Sequence, residues 1–96
     1  MDKAIKHEDN GKVGRITLYD EETLIGELIY LWNGTSTFTI TSTEVNPAHR
    51  GNGYAKTLVL KAAEIAKERQ AKVIPQCSYA RAVFERAPDL RALIAK

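Results

Sequence analysis

The stretch at residues 43–58, TEVNPAHRGNGYAKTL, decides how the rest of the chain is interpreted. A β-type run ends at its start, Pro47 stops that run, and a basic glycine-rich turn leads into an amphipathic helix predicted to begin near Asn52. A helix start has backbone N–H groups without partners and the positive end of the helix dipole. Two glycines and an arginine there suit a phosphate group, so the stretch predicts an anion-binding strand–loop–helix.

The composition is that of a small globular protein. Ninety-six residues suit one domain with a single core, which we expect to span residues 1–96. No stretch approaches the roughly 20 apolar residues that span a bilayer. The first residues also lack the apolar segment of a secretory signal. We therefore expect a cytoplasmic protein that does not bind membranes.

Charge and residue usage exclude several classes of site. The net charge of +2 is small and the basic residues are spread along the chain, so no nucleic-acid-binding surface is predicted. Cys77 is the only cysteine, which excludes an internal disulfide. The two histidines, His7 and His49, show no metal-ligand spacing. We expect neither a metal nor a nucleic acid as partner.

Turn residues divide the first half of the chain into short segments. Turns are predicted at residues 9–12, 20–22 and 33–34, and the Asn-Gly pair of the last one is typical of a two-residue hairpin. The segments between the turns are rich in β-branched and aromatic residues. Four antiparallel strands are predicted, at residues 3–7, 13–19, 24–32 and 36–45.

Two of these strands have informative side-chain patterns. Residues 24–32 are apolar on both faces except at Glu27, which predicts a central strand covered by helices on each side. In the fourth strand Phe38 and Ile40 alternate with threonines. One face of that strand, ending at Thr43, is therefore predicted to present hydroxyl groups to solvent or a ligand.

The second half of the chain is predicted to be mainly helical. Apolar residues recur at three- and four-residue spacing from 52 to 69, which predicts a long amphipathic helix. Residues 72–75 read as a buried strand, and the strand–helix–strand crossover makes it parallel to the fourth strand. A further helix is predicted at residues 78–86, and Asp89 is predicted to cap a last turn. The expected fold is α/β, a mixed sheet of four antiparallel strands plus a parallel fifth, with a long central helix and short C-terminal helices.

The glycine-rich turn before the long helix can be compared with three known motifs. A P-loop needs a glycine directly before the Lys-Thr pair, where Ala55 stands, and another where Arg50 stands. A dinucleotide fingerprint needs a glycine at Lys56 and a preceding parallel βαβ unit, whereas hairpins precede this turn. The third motif, Arg-x-x-Gly-x-Ala, matches residues 50–55 without exception.

With that motif between an antiparallel strand and a long helix, the chain resembles the GNAT superfamily of acyl-CoA-dependent N-acetyltransferases. It is most similar to the small stand-alone GNAT-like domains. The similarity extends over nearly the whole chain and includes TEV at residues 43–45, VIPQCSYA at 73–80 and FERAP at 84–88. Members often carry histidine where Ser42 and Ala87 stand, so no role of those histidines is transferred to this chain.

The resemblance implies a V-shaped gap where the fourth and fifth strands diverge, with acetyl-CoA lying in it as cosubstrate. It implies that the pantetheine arm pairs with main-chain groups near the end of the fourth strand. The pyrophosphate would lie on amides at the start of the long helix. The coenzyme-binding residues implied in this way are Thr43, Val45, Arg50, Gly51, Asn52, Gly53, Tyr54, Ala55 and Lys56.

The implied reaction, acetyl transfer to an amine, needs a polarised thioester carbonyl and a route for protons. A main-chain N–H near the end of the fourth strand suits the first need. Glu44 is the candidate base, with a solvated strand-end glutamate as the alternative. Tyr79 is the candidate acid for the thiolate, with a core residue as the alternative. Cys77, at a helix N-terminus, either takes part in the chemistry or packs as a small apolar side chain.

The acceptor is not indicated by the sequence. Larger GNAT proteins have helices after their first strand and additional C-terminal strands that help to shape the acceptor pocket, and neither is expected here. The acceptor is therefore an unidentified amine, in a small molecule or a protein. The alternative function is a non-catalytic or weakly catalytic acyl-CoA-binding or sensing module that acts with a protein partner, and a homodimer is also open.

Overall fold

The computed structural model describes residues 3–95. Its strands form one five-stranded sheet. The strands are β1 (Lys3–Asp9), β2 (Val13–Asp20), β3 (Thr23–Trp32), β4 (Thr37–Val45) and β5 (Lys72–Pro75). They lie side by side in the order of the chain. The first four are antiparallel neighbours, and β5 pairs parallel to β4. The predicted mixed sheet is confirmed.

The helices follow β4 and β5. They are a 3₁₀ turn (Pro47–His49), α1 (Tyr54–Arg69), α2 (Ser78–Arg86) and α3 (Pro88–Arg91). Helix α1 begins two residues later than predicted because Gly53 adopts a left-handed conformation with φ +77°. Asp89 lies inside the first turn of α3, and the N-cap is Ala87, so the predicted Asp89 cap was wrong. Within residues 3–95, no helix has the length and apolar character needed to cross a membrane.

All the helices of the described chain pack on the same face of the sheet. Helices α1 and α2 contact each other, and their buried side chains join Tyr30, Phe38 and other strand residues in one core. We call this the helix face. The opposite one, the open face, carries among others Leu24 and Leu31, which are 40% and 41% exposed. The expectation that helices cover both faces of β3 was therefore wrong.

A β-bulge divides the threonines of β4 between the two faces. The register between β3 and β4 shifts by one residue at Thr41, which is the extra residue. Before the bulge, Thr37 and Thr39 lie on the open face. After it, Thr43 is paired with Leu28 on the helix face. The prediction of one continuous threonine face was wrong, because alternation holds only while the pairing register is unbroken.

The loop between β3 and β4 is longer than the predicted two-residue hairpin. Residues 33–36 separate the two strands, and the Asn33 N–H donates to the Thr37 carbonyl at 2.8 Å. Gly34 has a φ of +79°, whereas Asn33 does not enter the left-handed region. The left-handed conformation at both central positions that a two-residue type I′ turn requires is therefore absent.

Candidate functional site

Strands β4 and β5 separate next to the bulge. Their pairing ends at Ile40, opposite Pro75, and the last hydrogen bond runs from the Cys77 N–H to the Ile40 carbonyl at 3.2 Å. Beyond it, within the described chain, residues 41–45 make backbone hydrogen bonds only toward β3. A bulge bends its strand, which accounts for the separation at this place. The edge of β4 beyond Ile40 thus offers main-chain N–H and C=O groups to an extended ligand, apart from the Val45 carbonyl, which accepts from Arg50 Nε.

A cleft of about 610 Å³ lies along this edge of β4. The Oγ1 atom of Thr43, one of its lining residues, is buried and has no hydrogen-bond partner among the described residues. A buried hydroxyl without a partner costs free energy that a ligand or water can recover. The lining is formed by Leu24, Ile25, Gly26, Glu27, Thr43, Glu44, Val45, Asn46, Pro47, Arg50, Ala55 and Tyr79.

A smaller cavity of about 250 Å³ adjoins the cleft at the start of α1. Val45, Arg50, Ala55 and Tyr79 line both. The other lining residues of the smaller cavity are His49, Gly51, Gly53 and Tyr54. The cleft along β4 and the glycine-rich loop therefore border one continuous depression, which brings together most of the residues implied by the sequence resemblance.

The N-terminus of α1 has no side-chain cap. In the part of the chain that the structure describes, none of the six amides at residues 51–56 donates a hydrogen bond to the protein. Gly51 and Gly53 have φ values of +87° and +77°. A Cβ placed on either glycine meets no atom within 4 Å. Glycine is therefore required by the backbone conformation, and it leaves the amides accessible to an anion.

Arg50 lies beside these amides and is held by β4. Its Nε donates to the Val45 carbonyl at 3.3 Å, and its two terminal nitrogens form no ion pair or hydrogen bond within residues 3–95. The Asn52 Nδ2 donates to the His49 carbonyl at 3.0 Å, which fixes the loop. Asn52 thus acts through loop geometry and does not line either cavity, whereas Arg50 places a positive charge at the border of both.

Two of the predicted catalytic side chains line the cleft. Glu44 is exposed, lies on the open face, and stands directly opposite Glu27 of β3. The Glu27 carboxylate is paired with Arg15, whereas Glu44 has no ionic partner in the described chain. Tyr79 is 41% exposed and borders both the cleft and the smaller cavity. Their roles as base and acid stay predictions.

Cys77 lies at the closed end of the gap but does not line the cleft. Its N–H forms the last hydrogen bond to β4, and its side chain is partly buried against the core. It is the N-cap residue of α2, without a side-chain capping bond. The structure places it where β4 and β5 separate, and its contact with a coenzyme stays a prediction.

Lys56 faces a different cavity from the other implied coenzyme residues. This third cavity, of about 190 Å³, lies between α1 and α2, and Tyr79 and Arg86 also line it. The Lys56 amide belongs to the open set at the start of α1, whereas Lys56 is absent from the lining of the cleft and of the smaller cavity beside it. Its part in coenzyme binding stays a prediction.

Sequence reasoning missed the contribution of β3 to the cleft. Residues 24–27 line it because β3 pairs with the end of β4, so that Gly26 lies opposite Val45. Gly26, a glycine inside a strand, was the sequence feature that could have indicated this contribution. A Cβ at that position would lie 2.9 Å from the Glu44 carbonyl oxygen, which indicates a close backbone approach.

A buried polar cluster at the other end of the sheet was also missed. The hydroxyl of the fully buried Tyr30 donates to Asp9 Oδ2 at 2.6 Å and lies 2.6 Å from His7 Nε2. Trp32 Nε1 donates to the same carboxylate oxygen at 2.8 Å. Burial lowers the pKa of His7 and raises that of Tyr30. Burial opposes ionisation of Asp9, but the hydrogen bonds from Tyr30 and Trp32 outweigh it and lower its pKa.

The chain matches the family model described as GCN5-related N-acetyl-transferase over residues 15–93. The match includes β4, the glycine-rich loop, α1 and β5. The protein belongs to this family, abbreviated GNAT. The resemblance inferred from the sequence is confirmed, and the family supports an acyltransferase.

Solved structures of GNAT proteins share the fold. A GCN5-like protein from Staphylococcus aureus, solved by NMR, has 25% identity over 96% of this chain and 87% of that chain, with a TM-score of 0.72. Nourseothricin acetyltransferase has 31% identity over 68% of this chain, with a TM-score of 0.58, and the match spans only 40% of its own length. A GNAT family acetyltransferase from Elizabethkingia anophelis with acetyl-CoA bound has 12% identity over 88% of this chain and 72% of that chain, with a TM-score of 0.66. No curated protein matches the sequence.

Proposed function

We propose that this GNAT protein binds acetyl-CoA in the gap between β4 and β5 and transfers the acetyl group to an amine. The observation that carries the proposal is the set of six unbonded amides at residues 51–56, beside Arg50 and the uncapped start of α1. Oriented amides with a nearby guanidinium suit a pyrophosphate. The E. anophelis relative, whose structure contains acetyl-CoA, supports this choice of coenzyme.

The pantetheine arm is assigned to the unpaired edge of β4. Pantetheine contains two amide groups, which can pair with main-chain groups near Thr43 and Val45 as an added strand does. The cleft along this edge is about 610 Å³, room enough for such an arm. Thr43 Oγ1 lacks a protein partner and is a further group that the ligand or a water can satisfy.

The proposed reaction is direct transfer between two bound substrates. The amine nitrogen attacks the thioester carbonyl carbon, the C–S bond breaks, and the products are an N-acetylated amine and the CoA thiol. Glu44 takes a proton from the amine, directly or through a water. Tyr79 gives a proton to the departing thiolate, and a main-chain N–H at the end of β4 polarises the carbonyl. Holding donor and acceptor together provides most of the rate enhancement.

Cys77 is proposed to assist from the closed end of the gap. Its side chain is only partly buried and precedes a helix N-terminus, where a thiolate is stabilised. Intact mass after incubation with acetyl-CoA, with iodoacetamide-blocked protein as control, tests whether it accepts the acetyl group. Normal turnover by Cys77→Ala together with no mass adduct would eliminate the assisting role.

Calorimetry with acetyl-CoA and with CoA tests the coenzyme assignment. Saturable binding of both is expected, and absence of binding would refute the proposal. Thiol release measured over a panel of amines then tests turnover. Binding without release for every amine would overturn the enzymatic assignment in favour of an acyl-CoA-binding module.

A further inference from the structure

The open face of the sheet presents a row of apolar side chains without cover. The pairing register places Val13, Leu31, Thr39 and Ile74 next to one another on β2, β3, β4 and β5. Val13, Leu31 and Ile74 are 41%, 41% and 39% exposed. In the described chain the helices all pack on the opposite face. These neighbouring exposed apolar side chains are available for contact with another surface.

Outside the ion pairs of Arg15 with Glu8 and Glu27, the open face carries opposite charges at its two sides. One cross-strand row runs from Lys6 on β1 through Thr17 and Glu27 to Glu44 on β4. Arg15 pairs within the face with Glu27 and, at 3.8 Å, with Glu8 of β1. Lys6 and Glu44 are both exposed and form no ion pair within residues 3–95, although the Lys6 Nζ lies 5.0 Å from the centroid of the Tyr19 ring. With strands about 4.8 Å apart, these two unpaired charges lie roughly 14 Å from each other.

We propose that the open face binds the open face of a second copy of this chain. The proposed two-fold axis lies between the two sheets and runs parallel to the strands, level with the space between β2 and β3. It places β1 of one copy over β4 of the other, so Lys6 of each copy meets Glu44 of the other copy. The same axis places Val13 over Leu31, as expected for the aligned packing of two sheets. Because a two-fold interface must complement itself, this charge pattern favours a second copy over a partner of single charge.

The dimensions of the face predict a weak dimer. Four strands about 4.8 Å apart, each about seven residues long at about 3.3 Å per residue, give roughly 440 Å² per copy. The total of roughly 900 Å² is below the range of about 1,200–2,000 Å² that stable complexes bury. Thr17 and Thr39 are only 5% and 9% exposed, so they add little area to the contact.

Dimerisation also adds a residue to the cleft. Glu44 lines the cleft as well as lying on the open face, so Lys6 of the second copy would stand at the cleft mouth. This consequence rests on the proposed function, whereas the association itself does not. Calorimetry of acetyl-CoA binding to the monomeric variant described next separates the two, since the coenzyme gap lies beside α1 and needs no second copy.

Sedimentation equilibrium of the full chain from micromolar to millimolar concentration tests the dimer. Leu31→Glu is expected to weaken association about tenfold or more, since it buries a carboxylate in the contact. Leu60→Glu is the matched control, because Leu60 is equally exposed, at 41%, but lies on α1. It should leave association unchanged. A monomer at all concentrations, or equal effects of the two variants, would overturn the proposal.

Charge exchange tests the same interface without altering an apolar side chain. Lys6→Glu and Glu44→Lys each replace two attractive pairs with two repulsive ones, and each should weaken association by about tenfold. The double variant, Lys6→Glu with Glu44→Lys, restores opposite charges and should return association to that of the parent chain. Failure of the double variant to recover would contradict this pairing. Circular dichroism confirms that each variant is folded.

Discussion

Replacement of Gly14 by alanine is expected to displace the Tyr30 ring and to break the hydrogen bonds of its hydroxyl with His7 and Asp9. Gly14 lies on β2 directly beneath the Tyr30 ring. A Cβ at this position would lie 1.9 Å from Tyr30 Cζ and 2.3 Å from both Cε atoms. Carbon atoms in contact are about 3.5–4.0 Å apart, so the ring must move by roughly 1.5–2 Å. Its hydroxyl, now 2.6 Å from Asp9 Oδ2, then leaves hydrogen-bonding range.

Two effects set the size of the loss. Overpacking a core costs about 1–3 kcal/mol. Loss of a hydrogen bond to a charged group costs about 1.5–3 kcal/mol, and little of this is screened because the Asp9 side chain is only 6% exposed. The free energy of unfolding should therefore fall by about 2.5–6 kcal/mol, a large part of the roughly 5–15 kcal/mol typical of a domain. The corresponding fall in Tm is more than about 10 °C.

Urea denaturation followed by Trp32 fluorescence measures this loss, since the Trp32 and Tyr30 rings are 6.0 Å apart. Tyr30→Phe keeps the ring and removes only the hydroxyl, so it should cost about 1.5–3 kcal/mol. Gly34→Ala is the control for introducing a methyl group, because a Cβ there meets no atom within 4 Å and only the left-handed backbone, worth about 1–2 kcal/mol, opposes it. A Gly14→Ala loss no larger than that of Gly34→Ala would refute the reasoning.

Three further predictions concern the coenzyme, the base and pH. Arg50→Ala should weaken acetyl-CoA binding about 10- to 100-fold by calorimetry, because it removes a charge-assisted contact. Arg81→Ala, on the exposed side of α2, is the control and should leave the affinity unchanged. Equal affinities of the two variants would contradict the phosphate role of Arg50. Glu44→Gln should lower kcat about 10²- to 10⁴-fold in thiol-release assays with acetyl-CoA affinity retained, and unchanged kcat would exclude it as base. Because the folded-state pKa of His7 lies below 6.5, the unfolded chain binds that proton more tightly. The free energy of unfolding should thus be highest above pH 6.5 and fall as the pH drops through the folded-state pKa of His7. In urea titrations, His7→Gln should remove this dependence on pH. A further fall below pH 3.8 is expected from Asp9, whose pKa is also lowered.

The architecture was predictable where periodicity or connection rules determine it. Spacing alone indicated the helix that became α1, and the crossover rule correctly made β5 parallel to β4. The bulge at Thr41 was not predictable, because an extra residue in a run of alternating threonines leaves the pattern unchanged. The open face was missed for a related reason. Apolar residues on both sides of β3 indicate burial on both sides, but they do not indicate whether the cover comes from the same chain.

The candidate site was predictable where it is local in sequence. Glycine spacing identified the loop at residues 50–55, whose amides and φ values depend on neighbouring residues. The contributions of Glu27 to the cleft and of Asp9 to the polar cluster depend on which residues face each other across strands. Register is set by loop lengths and bulges, and the sequence showed these only approximately. His7, which has no sequence motif around it, is placed beside Tyr30 by this pairing alone.

The polar cluster around Asp9 and the cleft lie at opposite ends of the strands, because Tyr30 and Trp32 stand near one end of β3 and Gly26 and Glu27 near the other. The polar cluster, which joins β1 to β3, is thus separate from the cleft, where an acceptor would bind under the proposed function. Under the proposed function, substitutions at the cleft rim, including Glu27 and Glu44, would therefore alter the choice of amine while the cluster around Tyr30 is left intact. In that sense the molecule is a compact scaffold with one end available for engineering.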